Sequence, residues 1–175
     1  MKVTEVTKFF VNAGIRNWLF VKLKTNEGIA GYGEASLEWQ EKAVDSFIDE
    51  FVRKYLIGAD PFEIEKLYLE LYRGQYEGGA VAMTAISAME IACWDIIGKS
   101  VGQPVYNLLG GKCSLPMRAY ANGWYGGEMQ PAAIAEQARK VAARGYTALK
   151  FDPFGVAWKE LSKKELQQSS DLVYA

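Results

Sequence analysis

The 175-residue chain carries 20 Lys and Arg against 21 Asp and Glu, no His, two Cys and 50% hydrophobic residues. That length accommodates one full domain, or one domain and the start of a second, and the near balance of charge excludes the basic field on which nucleic-acid and anionic-membrane binding rely. With no histidine, proton transfer near neutral pH falls to Lys, Asp, Glu or Tyr, or to residues from elsewhere.

Residues 1–11 (MKVTEVTKFFV) and 18–24 alternate and are rich in Val, Phe, Thr and Leu, the pattern of half-buried strands. NAGIRN (12–17) joins them as a short loop, TNEG supplies a tight turn and IAGYGEA continues as a third strand, which predicts an antiparallel meander. ASLEWQ (35–40) leads into a helix, where Val44, Phe47, Ile48, Phe51 and Tyr55 recur at three- and four-residue steps before Gly58. Asp60 and Pro61 read as the N-cap and first turn of a second helix, with Ile64, Leu67, Tyr68 and Leu71 on one face. The stretch 78–102 is crowded with Ala, Ser, Thr and Gly, whose small side chains let backbones approach closely, so a central buried helix is expected there. Its Asp95 is open to two readings, a catalytic acid or a helix-packing carboxylate. Gly102 and Pro104 break this helix, and PVYNLLGG (104–111) forms one more helical turn.

Between about residues 110 and 116 the pattern changes. MRAYANG (117–123) is strand-like, PAAIAEQARKVAARG (131–145) helix-like, YTALKFD (146–152) strand-like, and WKELSKKELQQSSDLVYA (158–175) helix-like with a Lys-rich solvated face. Alternating strand and helix imply parallel βα units, so two domains are expected, 1–115 and 116–175. Near the end of the second of these strands, Lys150 and Asp152 stand two residues apart and so point to one side. Cys93 and Cys113 lack a CxxC pair and companion histidines, which reads as two free thiols. No run reaches the roughly 18 consecutive apolar residues of a membrane span, and the N-terminus alternates where a signal peptide has an apolar block, so no membrane partner and a cytoplasmic location are expected.

In the small-residue helix, Ala85, Ser87-Ala88-Met89-Glu90, Ala92-Cys93, Asp95-Ile96 and Gly98-Lys99, followed by Pro104-Val105 and Leu108-Leu109-Gly110, form a spaced set. It resembles the signature of the mandelate racemase and muconate lactonising enzyme family within the enolase superfamily. The resemblance implies an α+β capping domain, with a three-stranded antiparallel meander plus helices, followed by the first two βα units of an enolase-type (β/α) barrel. Within that family, RAYANGWYGG and GYTALKFDPFG look most like the acid-sugar dehydratases of the gluconate and galactonate type.

What the resemblance implies for chemistry is a Mg²⁺-dependent lyase. The metal holds a sugar-acid carboxylate, the proton beside it is removed to give an enediolate, and loss of the 3-hydroxyl leaves a 2-keto-3-deoxy acid. Barrel sites lie at the C-terminal ends of the strands. There, racemases and cycloisomerases of the family carry a Lys-x-Lys pair whose second lysine is a base; this chain has Lys150 and Asp152. That departure fits a dehydratase whose base and acid are histidines on later strands, with Lys150 holding the carboxylate or tuning its neighbour and Asp152 accepting substrate hydroxyls or pairing with Lys150. The plainer reading is a strand-end pair, with Asp152 capping the turn before Pro153. Asn122, Trp124 and Tyr125 close the first barrel strand and are candidates to line a polyol pocket, against ordinary loop packing. Two capping-domain loops, 12–17 and 35–42, cover the barrel mouth in the family, which makes Arg16 and Trp39 candidates for substrate contact, against an ordinary exposed Arg and rim aromatic.

The family's metal ligands, an Asp and two Glu, belong to the third, fourth and fifth barrel strands, so the chain is expected to be a dehydratase cut off early, inactive and without a tight Mg²⁺ site in isolation. Two parallel strands with open apolar edges predict self-association as a homo-oligomer. The alternatives are a non-catalytic fragment surviving as an oligomer, and a racemase or cycloisomerase of the same superfamily.

Overall fold

In the computed structural model, which describes residues 1–14, 16–113, 116–127, 129–155, 157 and 159–175, the chain divides into two compact units, Met1–Cys113 and Ser114–Ala175. The first unit is built on an antiparallel meander of β1 (Val3–Asn12), β2 (Asn17–Thr25) and β3 (Ala30–Glu34), in that spatial order. Lys8 pairs with Val21 and Phe20 with Glu34 in the two ladders. The period of two is plain in β2: Leu19, Val21, Leu23 and Thr25 are buried, while Phe20, Lys22 and Lys24 turn to the opposite face.

Helix α1 (Glu41–Phe51) buries Val44, Ile48 and Phe51. The expected helix does run on to Leu56, but its last stretch, Val52–Leu56, widens into a π-helical turn. The five-residue step of that turn keeps Phe51 and Leu56 both fully buried. Helix α2 (Ile64–Arg73) buries Ile64, Leu67 and Leu71, yet it starts later than the Asp60-Pro61 signal suggests. Asp60 Oδ1 instead accepts from the Phe62 N–H at 3.1 Å, closing a local turn, and its other oxygen lies 3.8 Å from the terminal amine of Met1. The side chain had a nearer use than capping the helix.

Helix α3 (Ala80–Ser100) is the centre of this unit, with Ala82, Ala85, Ile86, Ala88, Met89, Ala92, Cys93 and Ile96 buried. It is also the helix among the described residues long and apolar enough to cross a membrane by length and composition. Its packing against β3 and β2 is that of a core helix. The small residues do what their size permits: a Cβ added at Gly31 would stand 2.0 Å from the Ala92 carbonyl oxygen, and one at Gly33 would stand 2.0 Å from that of Ala88. The Asp95 carboxylate accepts from the Tyr32 N–H at 2.9 Å and from Lys99 Nζ at 2.6 Å, and Lys99 also donates to the Ala30 carbonyl at 2.8 Å. Asp95 thus clips the edge strand to the helix. Both cysteines are free; burial, reinforced by the charges of Glu90 and Asp60, pushes the Cys93 thiol up to about 12. A short helix, α4 (Val105–Leu108), closes the unit.

Lys8 reaches across to α1, with Nζ 2.7 Å from both Asp45 Oδ1 and Asp49 Oδ1 and its side chain 20% exposed. Burial alone would lower its pKa, but the hydrogen bonds and charges of the two aspartates outweigh it and hold the pKa above the ordinary lysine value. A pKa raised on folding gives stability that is whole below the unfolded value, about 10.5, and is lost as pH climbs through the folded one. Denaturant titrations of Lys8→Met are therefore expected to lose the part of the alkaline destabilisation, above about pH 10.5, that wild type shows. Equal slopes of stability against pH in the two proteins would show that the triad is not formed.

In the second unit, α5 (Pro131–Ala142) opens with proline in its first turn and buries Ile134 and Val141. Helix α6 (Lys163–Tyr174) begins later than Trp158, a residue outside those described. Its start is set by a capping box, in which Ser162 Oγ accepts from the Glu165 N–H and the Glu165 carboxylate accepts from the Ser162 N–H at 2.8 Å. The two expected strands are reduced to one parallel bridge, Ala121 to Leu149. It is made by Ala121 N–H to the Ala148 carbonyl at 3.0 Å and Lys150 N–H to the Ala121 carbonyl at 2.8 Å. Each segment has a partner on one side only among the described residues, and slanted parallel pairing is the less stable kind, so the ladder does not extend.

Candidate functional site

The bridge sets two chain segments side by side and delivers five of the candidate residues, Asn122, Trp124, Tyr125, Lys150 and Asp152, just beyond it. Asn122 Oδ1 turns back to accept from the Gly123 N–H at 3.0 Å. The Trp124 indole N–H donates to the Lys150 carbonyl at 2.8 Å, so this polar atom is already engaged within the protein. Trp124, Tyr125 and Phe151 form an aromatic cluster with ring centroids 5.6 to 5.9 Å apart. Phe151 has no distinguishing signal in the sequence, where its neighbours Lys150 and Asp152 carry the charge.

Lys150 and Asp152 are both exposed, and no ion pair joins them among the described residues. Asp152 Oδ1 accepts from the Phe154 N–H at 3.0 Å, the turn-capping role expected before a proline, which leaves its second oxygen for another partner. From α6, the buried Ser169 hydroxyl donates to the Pro153 carbonyl at 3.0 Å and fixes the same turn. An amine, a carboxylate and an amide thus lie within a few residues of an aromatic cluster at one end of two paired segments. Side chains of these types can hold the carboxylate and hydroxyls of a small polyol acid.

Arg16 and Trp39 belong to the first unit. Arg16 pairs with Glu38, Nη1 to Oε2 3.7 Å, tying the loop after β1 to the segment after β3. That segment is itself anchored on β2, with Ser36 Oγ accepting from the Leu19 N–H at 3.0 Å and the Ala35 N–H donating to the Leu19 carbonyl at 2.7 Å. The chain then turns, Gln40 N–H to the Leu37 carbonyl at 2.8 Å, and presents Trp39 at 80% exposure. Trp39 has φ 69°, the left-handed region, and is the one non-glycine residue placed so among those described. That conformation costs about 1–2 kcal/mol for an L residue.

The described residues contain no group of three or more His, Cys, Asp or Glu that would hold a metal ion.

Residues 10–110 match the mandelate racemase / muconate lactonizing enzyme N-terminal domain. The chain is 40% identical over 159 residues to the D-gluconate dehydratase of Thermoproteus tenax, covering 90% of this chain and 32% of that protein. It is 42% identical over 153 residues to the D-galactonate dehydratase of Xanthomonas euvesicatoria, covering 87% and 38%. A crystal structure of a protein from Mesorhizobium loti, 36% identical, superposes with a TM-score of 0.92 over 99% of this chain and 49% of its own. The chain spans about a third of the length of these relatives and about half of that structure.

Proposed function

The chain belongs to the mandelate racemase / muconate lactonizing enzyme family, and from that premise we propose that it is the N-terminal part of a dehydratase acting on a sugar acid of the gluconate or galactonate type. The observation that carries this is the identity of 40 and 42% to two such dehydratases. The alignments are longer than the first unit, so the likeness reaches into the unit that holds Lys150 and Asp152.

The reaction would take the proton from C2 of a 2,3-dihydroxy acid and the hydroxyl from C3, releasing one water. The resulting enol takes up a solvent proton at C3 as it becomes the 2-keto-3-deoxy acid. In this reading Lys150 attracts the substrate carboxylate, while Asp152 and Asn122 bind hydroxyls and the Trp124–Tyr125 pair packs on the carbon chain of the polyol. Arg16 and Trp39, on the anchored loops of the first unit, are further candidates for contact with the acid. The general base, the general acid and the Mg²⁺ ligands belong to the remainder of a (β/α) barrel; this chain has no histidine to serve as either proton carrier. The 175 residues alone are thus expected to be inert, the whole protein to be cytoplasmic, and its assembly to be homo-oligomeric.

Incubating the full-length protein and the 175-residue chain in parallel with D-gluconate and D-galactonate tests this. The full-length protein with Mg²⁺ is expected to form a 2-keto-3-deoxy acid and to stop when a chelator removes the metal, while the chain alone forms none. Turnover by the chain alone, or chelator-resistant turnover by the whole protein, overturns the reading.

A further inference from the structure

The loop carrying Trp124 and Tyr125 is held by a side chain that the proposed reaction does not use. It runs between Gly123 (φ 66°) and Gly127 (φ 77°), both in the left-handed region, so its own backbone supplies little reason to keep one shape. Two attachments do so instead. At one end the Trp124 indole N–H binds the Lys150 carbonyl at 2.8 Å. At the other, Gln137 on α5 donates from Nε2 to the Gly126 carbonyl at 3.1 Å and accepts on Oε1 from the Gly126 N–H at 3.2 Å.

This is the same exchange of donor and acceptor that two opposed strand residues make. An amide side chain carries one strong donor group and one strong acceptor side by side in a plane, so it alone closes both bonds at neutral pH. Because both go to a single residue, the loop is fixed in orientation as well as position. Gln137 is half-buried on a helix whose neighbouring charges, Glu136 and Arg139, satisfy one another at 2.7 Å.

We propose that Gln137 is a positioning residue for the substrate pocket: it keeps the Trp124–Tyr125 loop closed on Phe151 and on the Lys150 carbonyl, so that the rings and the Lys150 side chain meet a sugar acid already in place. This rests on the assignment of Trp124, Tyr125 and Lys150 to sugar-acid binding. Gln137→Glu is the discriminating change. It keeps the size and the acceptor but loses the donor, and sets a carboxylate against the Gly126 carbonyl. Gln137→Ala removes both bonds without the repulsion.

The test combines hydrogen exchange of the Trp124 indole N–H and the Gly126 amide, read by NMR, with steady-state kinetics, all in the full-length protein. Both variants are expected to exchange these protons at least about tenfold faster while the α5 amides keep their rates, with Gln137→Glu the faster of the two. KM for the sugar acid is expected to rise about tenfold with kcat within about threefold of wild type, the mark of lost ground-state binding. Unchanged exchange, or faster exchange with unchanged KM, overturns the proposal. A wild-type protein that converts no sugar acid overturns the dehydratase reading and with it the substrate-pocket role of Gln137, a failure distinct from unchanged exchange, which would show that Gln137 does not hold the loop at all.

Discussion

Gly33→Ala is expected to unfold the first unit or to lower its stability by about 3 kcal/mol or more, the upper end of overpacking. The reason is a match of two repeats. Two residues along a strand advance about 6.6 Å and four along a helix about 6 Å, so Gly31 and Gly33 lie against the carbonyls of Ala92 and Ala88 in turn. Both sides of this contact are backbone. The added methyl at Gly33 would sit 2.0 Å from an oxygen that no rotamer change can move. Shrinking the partner to Ala88→Gly leaves that oxygen in place and should not rescue the variant. Gly126→Ala is the control: its Cβ meets nothing within 4 Å and its φ is not positive, so it should be close to neutral. In thermal unfolding, a fall of at least about 10 °C for Gly33→Ala beside an unchanged Gly126→Ala is the expected pair of results. A Gly33→Ala protein that melts like wild type would show that α3 does not cross β3 this closely.

Asp152 is expected to carry the second large effect, on activity and not on stability. Its turn needs one carboxyl oxygen as acceptor for the Phe154 N–H, and asparagine supplies that acceptor as well. Asp152→Asn therefore keeps the turn and removes only the charge. A hydrogen bond from a substrate hydroxyl to an ionised carboxylate contributes about 1.5–3 kcal/mol, so kcat/KM of the full-length protein should fall about 10- to 100-fold with the melting temperature unchanged. Asp152→Ala should lose the same activity and, in addition, about 1 kcal/mol of stability through the lost turn bond. Wild-type kinetics in Asp152→Asn would reduce Asp152 to a turn residue.

The elements that a short sequence window can define were legible. The alternation of Leu19, Val21 and Leu23 and the three-and-four spacing of Val44, Ile48 and Phe51 each depend only on which face is buried, and the structure buries those residues. The small-residue helix was legible as a close approach, but its target was not. Gly31 and Gly33 look like ordinary turn-prone residues until α3 is laid across them. The start of α2 departs from the expectation because Asp60-Pro61 carries a genuine capping signal that the local turn and the N-terminal amine take up first. The start of α6 was open to better reading, since Ser162 and Glu165 stand at the capping-box spacing in the chain itself.

Of the candidate site, the charged and amide side chains could be named from residue type and place. The supporting atoms could not. Gln137 lies eleven residues beyond the glycine it holds, and Ser169 lies sixteen beyond Pro153. Neither has a local signature, because each acts only once α5 and α6 have packed. The left-handed backbone of Trp39 is equally silent in sequence, where that conformation is expected of glycine or asparagine.

The central claim is that this chain opens a sugar-acid dehydratase, and proton NMR of the full-length protein turning over D-gluconate or D-galactonate with Mg²⁺ in deuterium oxide tests it most directly. Dehydration predicts a 2-keto-3-deoxy acid bearing one deuterium at C3, where the enol is quenched from solvent. An acid that keeps both hydroxyls and carries deuterium at C2 with mixed configuration would contradict it, and would place the protein among the racemases of its family.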